Sequence, residues 1–449
     1  MFRASGSRKA LWLVAAALSF CLVSCGPSTE FFRGVDDQIS SGNYASAIDG
    51  VRKNRSSYGD KSTVLYKLDM GLLYHYGGMP DSSTPYLLAA EKEIEDLYTK
   101  SISLAAVSMV LNDNVLPYEG EDFEKVLVNI FLALNFAAKS EADEAIVEAR
   151  KVDLKLREYS KQYGGKNKYQ EDAFIRYIAG VLYEHGGEIN DAFISYRKAY
   201  EAYQTYRKEY GTSTPSFLLD DLVRTATLLS FPEEAAAYKA AGGRAFDRKG
   251  KPYGSIVLVA YVGKGPVKQE VRPTVSIPDV DGVIHTFQMA LPKFVPRYKG
   301  TRTYRVSARA THDSAKVFNA VTEVAENVTK IAYQNLEDRL GLVYLKSGGR
   351  ALLKFLAAEE AKSKIKKGED ATINFLGSLG IDLLIGASEQ ADLRTWRTLP
   401  SEFQIARLNL LPGDYSLHVS ASDDRYTLPG DTVHVRSGKT SLIIVDDVR

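Results

Sequence analysis

The chain has 449 residues, 45% hydrophobic and 25% charged, a balance that excludes a disordered protein and fits two to three globular domains. Its 57 basic and 56 acidic side chains give a formal charge of +1, so the basic excess of a dedicated nucleic-acid binder is missing. Tyrosine is abundant, at 27 residues, and concentrated in the first half.

Residues 1–24 read as a targeting segment and not as part of the fold. Arg3, Arg8 and Lys9 form a positive start, and Leu11–Val23 is apolar but shorter than the roughly 20 residues of a spanning helix. Leu22-Val23-Ser24-Cys25 resembles a bacterial lipobox, with small Ser24 before the cysteine; bulky Phe20 spoils the same role for Cys21. The resemblance implies that Cys25 is acylated, becomes the first mature residue and ties the chain to a membrane through residues 25–30. Gly26 follows it where an aspartate would divert sorting, which by the same resemblance implies a lipid anchor in the outer membrane, facing the periplasm. Loss of residues 1–24 removes three basic groups and Cys21, taking the charge from +1 to −2 and leaving Cys25 as the one cysteine. Disulfides and cysteine-ligated metal clusters within one chain are thereby excluded.

Residues 31–241 read as stacked helical hairpins. In Asp172–Tyr206, Gly180, Tyr183, Ala192, Tyr196 and Ala199 take the small and aromatic positions of a tetratricopeptide (TPR) unit, whose period is about 34 residues. Gly180 and Ala192 allow close helix approach, and the tyrosines fill the space beside it. Gly71-Leu-Leu-Tyr74-His-Tyr-Gly77-Gly78 repeats Gly180-Val-Leu-Tyr183-Glu-His-Gly186-Gly187 inside a hairpin at Thr63–Tyr98. Phe123–Tyr159 places Ala133, Phe136 and Ala145 at matching positions, Phe31–Tyr58 is a degenerate first hairpin, and Pro215–Ala241 reads as a cap. Such units bury their apolar faces only by stacking.

The glycines of 242–254 mark a linker, and 255–449 reads as an α+β domain. Ser255–Val262 is apolar enough for a strand buried on both faces, with further strands at Thr274–Ile277, Val283–Leu291 and Thr303–Ala310. A helical insertion is expected over 313–400. Val317, Val321, Val324, Val328 and Ile331 make its 4-3-4-3 seam, Lys364, Lys366 and Lys367 end a second helix, and Ile373–Ala387 is an apolar, glycine-containing helix too short to span. Strands return over 403–448. Pro412-Gly413 suits a type II turn within Leu410–Val419, and Thr432–Arg436 with Thr440–Val445 reads as a hairpin around Ser437-Gly438-Lys439. The fold class is α+β: an α-helical TPR-like solenoid followed by a β-sandwich-like domain with inserted helices.

Glu121–Asn135, the Asp172–Tyr200 hairpin, and Glu389-Gln-Ala-Asp-Leu-Arg394-Thr-Trp396-Arg-Thr-Leu-Pro400 running into Leu411-Pro-Gly-Asp-Tyr415 together resemble an uncharacterised family of bacterial TPR-like envelope lipoproteins. The resemblance covers nearly the whole mature chain and implies an envelope location, a role in envelope assembly and no established activity.

Motifs with a recognisable mechanism fail on context. Gly438-Lys439-Thr440-Ser441 mimics a phosphate loop, yet Val433 stands where the leading glycine belongs and a strand follows where a helix N-terminus is required. The six histidines show no metal spacing, and His75 and His185 read as surface or packing residues beside the repeat turns. Asp36-Asp37, Asp220-Asp221 and Asp423-Asp424 lack the ligand pattern of a calcium loop. No enzyme, metal or cofactor is expected. Arg394, Trp396 and Arg397 read as a buried anchor, with partner docking as the alternative. The functional expectation is a scaffold that binds an envelope protein through the concave helical surface. The alternative is a glycan or lipid binder with a tyrosine-rich groove.

Overall fold

The computed structural model describes residues 29–449 except 111–113, 115, 163, 165–170, 246–252, 279–283, 299, 301, 342, 345–346, 349–389, 423–426 and 449. The signal segment, Cys25, Lys364, Lys366, Lys367 and Ile373–Ala387 lie outside the described residues.

Eleven helices precede the first strand among the described residues: α1 (Thr29–Ser40), α2 (Tyr44–Lys53), the single turn α3 (Arg55–Tyr58), α4 (Thr63–Tyr76), α5 (Pro80–Val110), α6 (Asp122–Ala138), α7 (Ala142–Gln162), α8 (Ala173–Gly186), α9 (Ile189–Glu209), α10 (Ser216–Leu228) and α11 (Pro232–Ala240). Local chemistry sets their ends. The Asp172 carboxylate accepts from the Ile175 amide at 2.7 Å to start α8, and Gly187, at φ 87°, ends it in a left-handed conformation that a side chain would resist. Glu121 and Glu124 form a reciprocal capping box at the start of α6. Hairpins α4/α5, α6/α7, α8/α9 and α10/α11 stack in sequence. A Cβ on Gly180 would lie 2.5 Å from the Tyr196 ring, and one on Gly71 would lie 2.6 Å from Leu87, so at both places the helices meet too closely for any side chain.

The strands are β1 (Gly254–Lys264), β2 (Val267–Val271), β3 (Thr274–Pro278), β4 (Ile284–Gln288), β5 (Leu291–Val295), β6 (Tyr304–Ala310), β7 (Val317–Val321), β8 (Glu323–Asn327), β9 (Pro400–Leu410), β10 (Gly413–Ala421), β11 (Thr427–Val435) and β12 (Thr440–Asp447). One sheet runs β12-β1-β9-β8, with β1 parallel to β12 and antiparallel to β9; a second runs β11-β10-β6-β7. Ribbons β2-β5 and β3-β4 are separate. Ile256, Leu258, Ala260 and Val262 of β1 face the second sheet, where they meet Val306, Ala308, Leu417 and Val419. Val257, Val259 and Tyr261 of the same strand, with Phe403 and Ile405 of β9, join the helical core instead. The first sheet is therefore the middle of three layers. That position explains why β1 is apolar at successive residues instead of alternating.

Two expectations fail here. The seam begun by Val317 and Val321 is not helical: β7 and β8 occupy 317–327, and only Val328 and Ile331 fall on a helix, α12, at 328–341. Valines four apart satisfy a helical stripe and a strand face equally, and pairing of β7 with β6 and of β8 with β9 decides for the β-branched run. Residues 390–399, expected at the end of the helical insertion, are non-helical too. The second failure is the hairpin around Ser437-Gly438-Lys439. β11 and β12 belong to different sheets, and the turn bonds the entry to β1, with the Gly438 amide donating to the Tyr253 carbonyl (2.8 Å) and the Ser255 amide to that of Lys439 (3.0 Å). Alternation was read correctly; the partner was not. The Pro-Gly turn does join β9 to β10. Tyr415 lies two residues beyond Gly413 and its hydroxyl donates back to the Leu411 carbonyl at 2.9 Å, locking the corner.

Candidate functional site

The inner helices α4, α6, α8 and α10 close on the first sheet. Phe174 stacks on Phe403 with ring centroids 4.6 Å apart, and Phe131 touches Tyr261, Trp396 and Phe403, each at 5.7 Å. The concave surface on which the sequence placed a binding groove is thus filled by the chain's own strands. A solenoid face this apolar needs a cover, and the two-sided apolar character of β1 and β9 supplies one.

Buried charges stitch the same interface. Arg407 of β9 is ion-paired with Glu184 of α8 at 2.8 Å and Asp221 of α10 at 3.1 Å, and Arg224 faces the same two carboxylates, each at 2.8 Å through Nη2. Tyr177 donates to Asp221 (2.9 Å) and Tyr196 to Glu184 (2.8 Å). Two guanidiniums against two carboxylates leave the cluster neutral. Burial alone would raise the Glu184 carboxyl, but Arg407 and Arg224 outweigh it and hold it at about 2.

His75 anchors a directed relay. Asn135 Nδ2 donates to Ser83 Oγ (2.8 Å), which makes Asn135 Oδ1 the acceptor for His75 Nδ1–H at 2.6 Å; Tyr261 OH then donates to His75 Nε2 at 2.7 Å. Ser83 closes the chain on the Gly71 carbonyl at 2.7 Å. Burial lowers His75 to about 4, so the ring is neutral and its tautomer is set. This is a joint of four elements, and of the two readings the sequence left for His75, surface or packing, it is the packing one.

A third joint holds the run on which the sequence hung a docking alternative. Trp396 is 1% exposed, and its amide and the Thr395 hydroxyl both donate to Glu124 Oε1 at 2.7 Å. Arg394 donates to the carbonyls of Leu116 (2.9 Å) and Lys61 (3.2 Å), and Arg397 lies over the Phe32 ring at 4.4 Å. Trp396 and Arg394 are spent inside the molecule, and Arg397, partly exposed, pairs with Asp36 at 3.7 Å, so the run serves as an anchor in this arrangement. The Trp396 indole N–H has no partner among the described residues. Nearby, the buried Asp69 carboxyl accepts from Tyr58 OH (2.7 Å) and Thr398 Oγ1 (2.8 Å), and burial raises it to about 6 despite both donors.

The repeat positions sit as follows. Ala133, Ala145, Ala192 and Ala199 are fully buried, as is Tyr196. Tyr74 is half-buried, stacked on Tyr86 and bonded by Arg52 at 2.6 Å; Phe136 is half-buried beneath Lys139. Tyr58, Tyr177, Tyr203 and Tyr206 are buried, so these tyrosines fill the core and do not line an open groove.

The outer side of the solenoid differs. Between α7, α8 and α9 lies a pocket of about 230 Å³ lined among others by Arg150, Asp153, Arg176, Tyr183, Ser195 and Lys198. Arg150 Nε donates to Tyr183 OH at 3.0 Å, and Arg176 is paired with Asp153 and Glu171. Val147 and Leu154 project from α7 on the same face as Arg150, 49% and 63% exposed. Among the described residues, no cluster of three His, Cys, Asp or Glu could hold a metal, and no helix is long and apolar enough to cross a membrane.

No family model matches the chain, and no curated protein matches it by sequence. Among solved structures it is similar to MamA of AMB-1, at 18% identity and a TM-score of 0.29 over 47% of this chain and 87% of that one. It is also similar to kinesin light chain TPR-like repeats from Podosopora anserina (10% identity, TM-score 0.28, 48% and 96% covered) and to BtubC (BKLC) from P. vanneervenii (14%, 0.29, 49% and 77%). Overlaps this loose carry no functional argument.

Sequence reasoning missed Arg407, Glu184, Asp221, Arg224 and Glu124. A signal existed for the first: Phe403, Ile405 and Arg407 alternate along one face of a strand, so a charge on that face had to be buried and paired.

Proposed function

We propose that the protein is a lipid-anchored, non-catalytic adaptor of the cell envelope that binds a protein partner on the outer face of its helical half. The carrying observation is the occupied inner face. With the concave surface packed against the chain's own sheet, the exposed apolar and charged side chains of α7–α9, around the 230 Å³ pocket, are a helical surface open to another molecule. The buried titratable groups described above bond to protein donors and acceptors and serve as joints, which supports a binding role over catalysis. The lipobox ending at Cys25 supports anchoring in the outer membrane.

The test has two arms. Cys25→Ala shifts the chain from the membrane to the soluble or unprocessed fraction; unchanged fractionation and lipid labelling defeats the anchor. Leu154→Asp with Lys198→Glu, both on exposed or half-exposed side chains, removes a discrete protein co-isolated from detergent-solubilised envelopes while the melting temperature stays within a few degrees. Co-isolation that survives both substitutions places the partner elsewhere.

A further inference from the structure

We propose that β7 is the self-association edge of the molecule, pairing antiparallel with β7 of a second copy about a two-fold axis at Asn319. β7 ends the second sheet, and its pairing with β6 sets which main-chain groups are spent. The Thr322 amide donates to the Tyr304 carbonyl (2.8 Å) and the Ala310 amide to that of Lys316 (3.1 Å). Hydrogen-bonded pairs alternate along an antiparallel ladder, so the even-numbered residues 316 to 322 turn toward β6. Val317, Asn319 and Val321 turn their N–H and C=O groups away from it. Among the described residues no strand pairs with that edge.

Edges of this kind are ordinarily guarded by lysine, proline, a bulge or a charge pointing along the sheet. Val317-Phe-Asn-Ala-Val321 has none of these. Two of its three outward side chains are apolar and open, Val317 39% and Val321 53% exposed, while the Asn319 Oδ1 accepts from Ser307 Oγ of β6 at 2.7 Å. Phe318 and Ala320 point inward to the sandwich core.

The occupant follows from the sequence of the strand, which is nearly symmetric about its centre. Antiparallel pairing about Asn319 sets Val317 opposite Val321 of the second copy, Phe318 opposite Ala320, and Asn319 opposite Asn319. The three odd-numbered positions then meet as hydrogen-bonded pairs, so each outward donor and acceptor finds a partner. Cross-strand valines cover one another on the outer face. A contact of this kind is isologous and closes at two copies. Five residues a side is far below the area of a permanent interface, so the pairing is weak and depends on concentration.

The register gives a position-specific test on the full chain. In a hydrogen-bonded pair the two Cα atoms are about 5.5 Å apart, within disulfide range. Residues 321 of the two copies are four positions from facing each other, roughly 14 Å along the strand. Under mild oxidation at high protein concentration, Asn319→Cys yields a covalent dimer several-fold above both Val321→Cys and the parent chain with its native cysteines. Asn319→Pro removes an outward N–H and leaves the main-chain ladder to β6, losing only the side-chain bond from Ser307 Oγ (2.7 Å), and Asn319→Lys adds the missing guard. Both reduce amine-reactive crosslinking into dimers several-fold while circular dichroism and melting temperature stay near the parent values. Equal disulfide yields at 319 and 321 overturn the proposal. So does dimer crosslinking that persists in a folded Asn319→Pro or Asn319→Lys chain, and so does loss in those variants of a crosslink to a different protein with no dimer formed by Asn319→Cys.

Discussion

Replacing Arg407 with Met tests whether the charged cluster locks the helical and β layers together. The Arg407 side chain is 1% exposed and faces Glu184 and Asp221, themselves 6% and 0% exposed. Methionine keeps most of the aliphatic volume, so the change is chiefly electrical. Two carboxylates then share Arg224 alone, and one negative charge is left in a site closed to water. Breaking a buried pair in this way costs about 3–5 kcal/mol, set against about 5–15 kcal/mol of total stability for a typical domain. The pH dependence gives the sign. In the parent, Glu184 is held at about 2, below its unfolded value of about 4.3, so its contribution is present above that value and is lost as pH falls toward 2. In the variant one carboxyl loses its cation and, being buried, titrates above the unfolded value; taking up a proton relieves the penalty. Urea unfolding at pH 7 and pH 5 should show the deficit of Arg407→Met relative to the parent shrinking at the lower pH. A second loss from Asp221→Asn in the variant background should be small or reversed, because that substitution restores neutrality. A deficit under about 1 kcal/mol at pH 7, or one that grows on acidification, would mean that the cluster does not join the layers.

Three further outcomes follow. His75 has its folded value lowered to about 4 from about 6.5, so its stability is complete above 6.5 and falls by about 3 kcal/mol as pH drops to 4; His75→Gln should remove that slope from melting temperature against pH. Trp396→Ala should cost about 3–5 kcal/mol in denaturant, whereas Trp396→Phe should cost clearly less because the indole N–H has no partner among the described residues. Gly180→Ala should already destabilise by about 1–3 kcal/mol, since the new methyl meets the Tyr196 ring at 2.5 Å; an unchanged melting temperature would refute that close approach.

The helical half was legible because its signals are local. Glycine at a close helix approach, a tyrosine beside it and a turn three residues on repeat from one hairpin to the next, and the structure keeps that register at Gly71 and Gly180. The continuous apolar run of β1 likewise announced burial on both faces. What could not be read was pairing between distant segments. Nothing near Thr440 says that β12 lies parallel to β1 instead of folding back on β11, and valines spaced by four at 317 and 321 suit helix and strand alike. The same blindness left the concave face looking open. The sequence shows that a solenoid has an inner face, but not that β1 and β9, the latter beginning at Pro400 when the last inner helix ends at Leu228, return to fill it.

The solenoid closes on its own sheet, and the proposed partner site lies on its outer face. Photoreactive residues placed singly at Phe131, on the inner face, and at Leu154, on the outer face, test it within the native envelope. The inner position should give only an internal link to β1 or β9, and the outer position a discrete adduct with another protein. Protein adducts from position 131 of a chain that remains folded, with none from position 154, would show the concave surface to be open in the cell and would contradict the account.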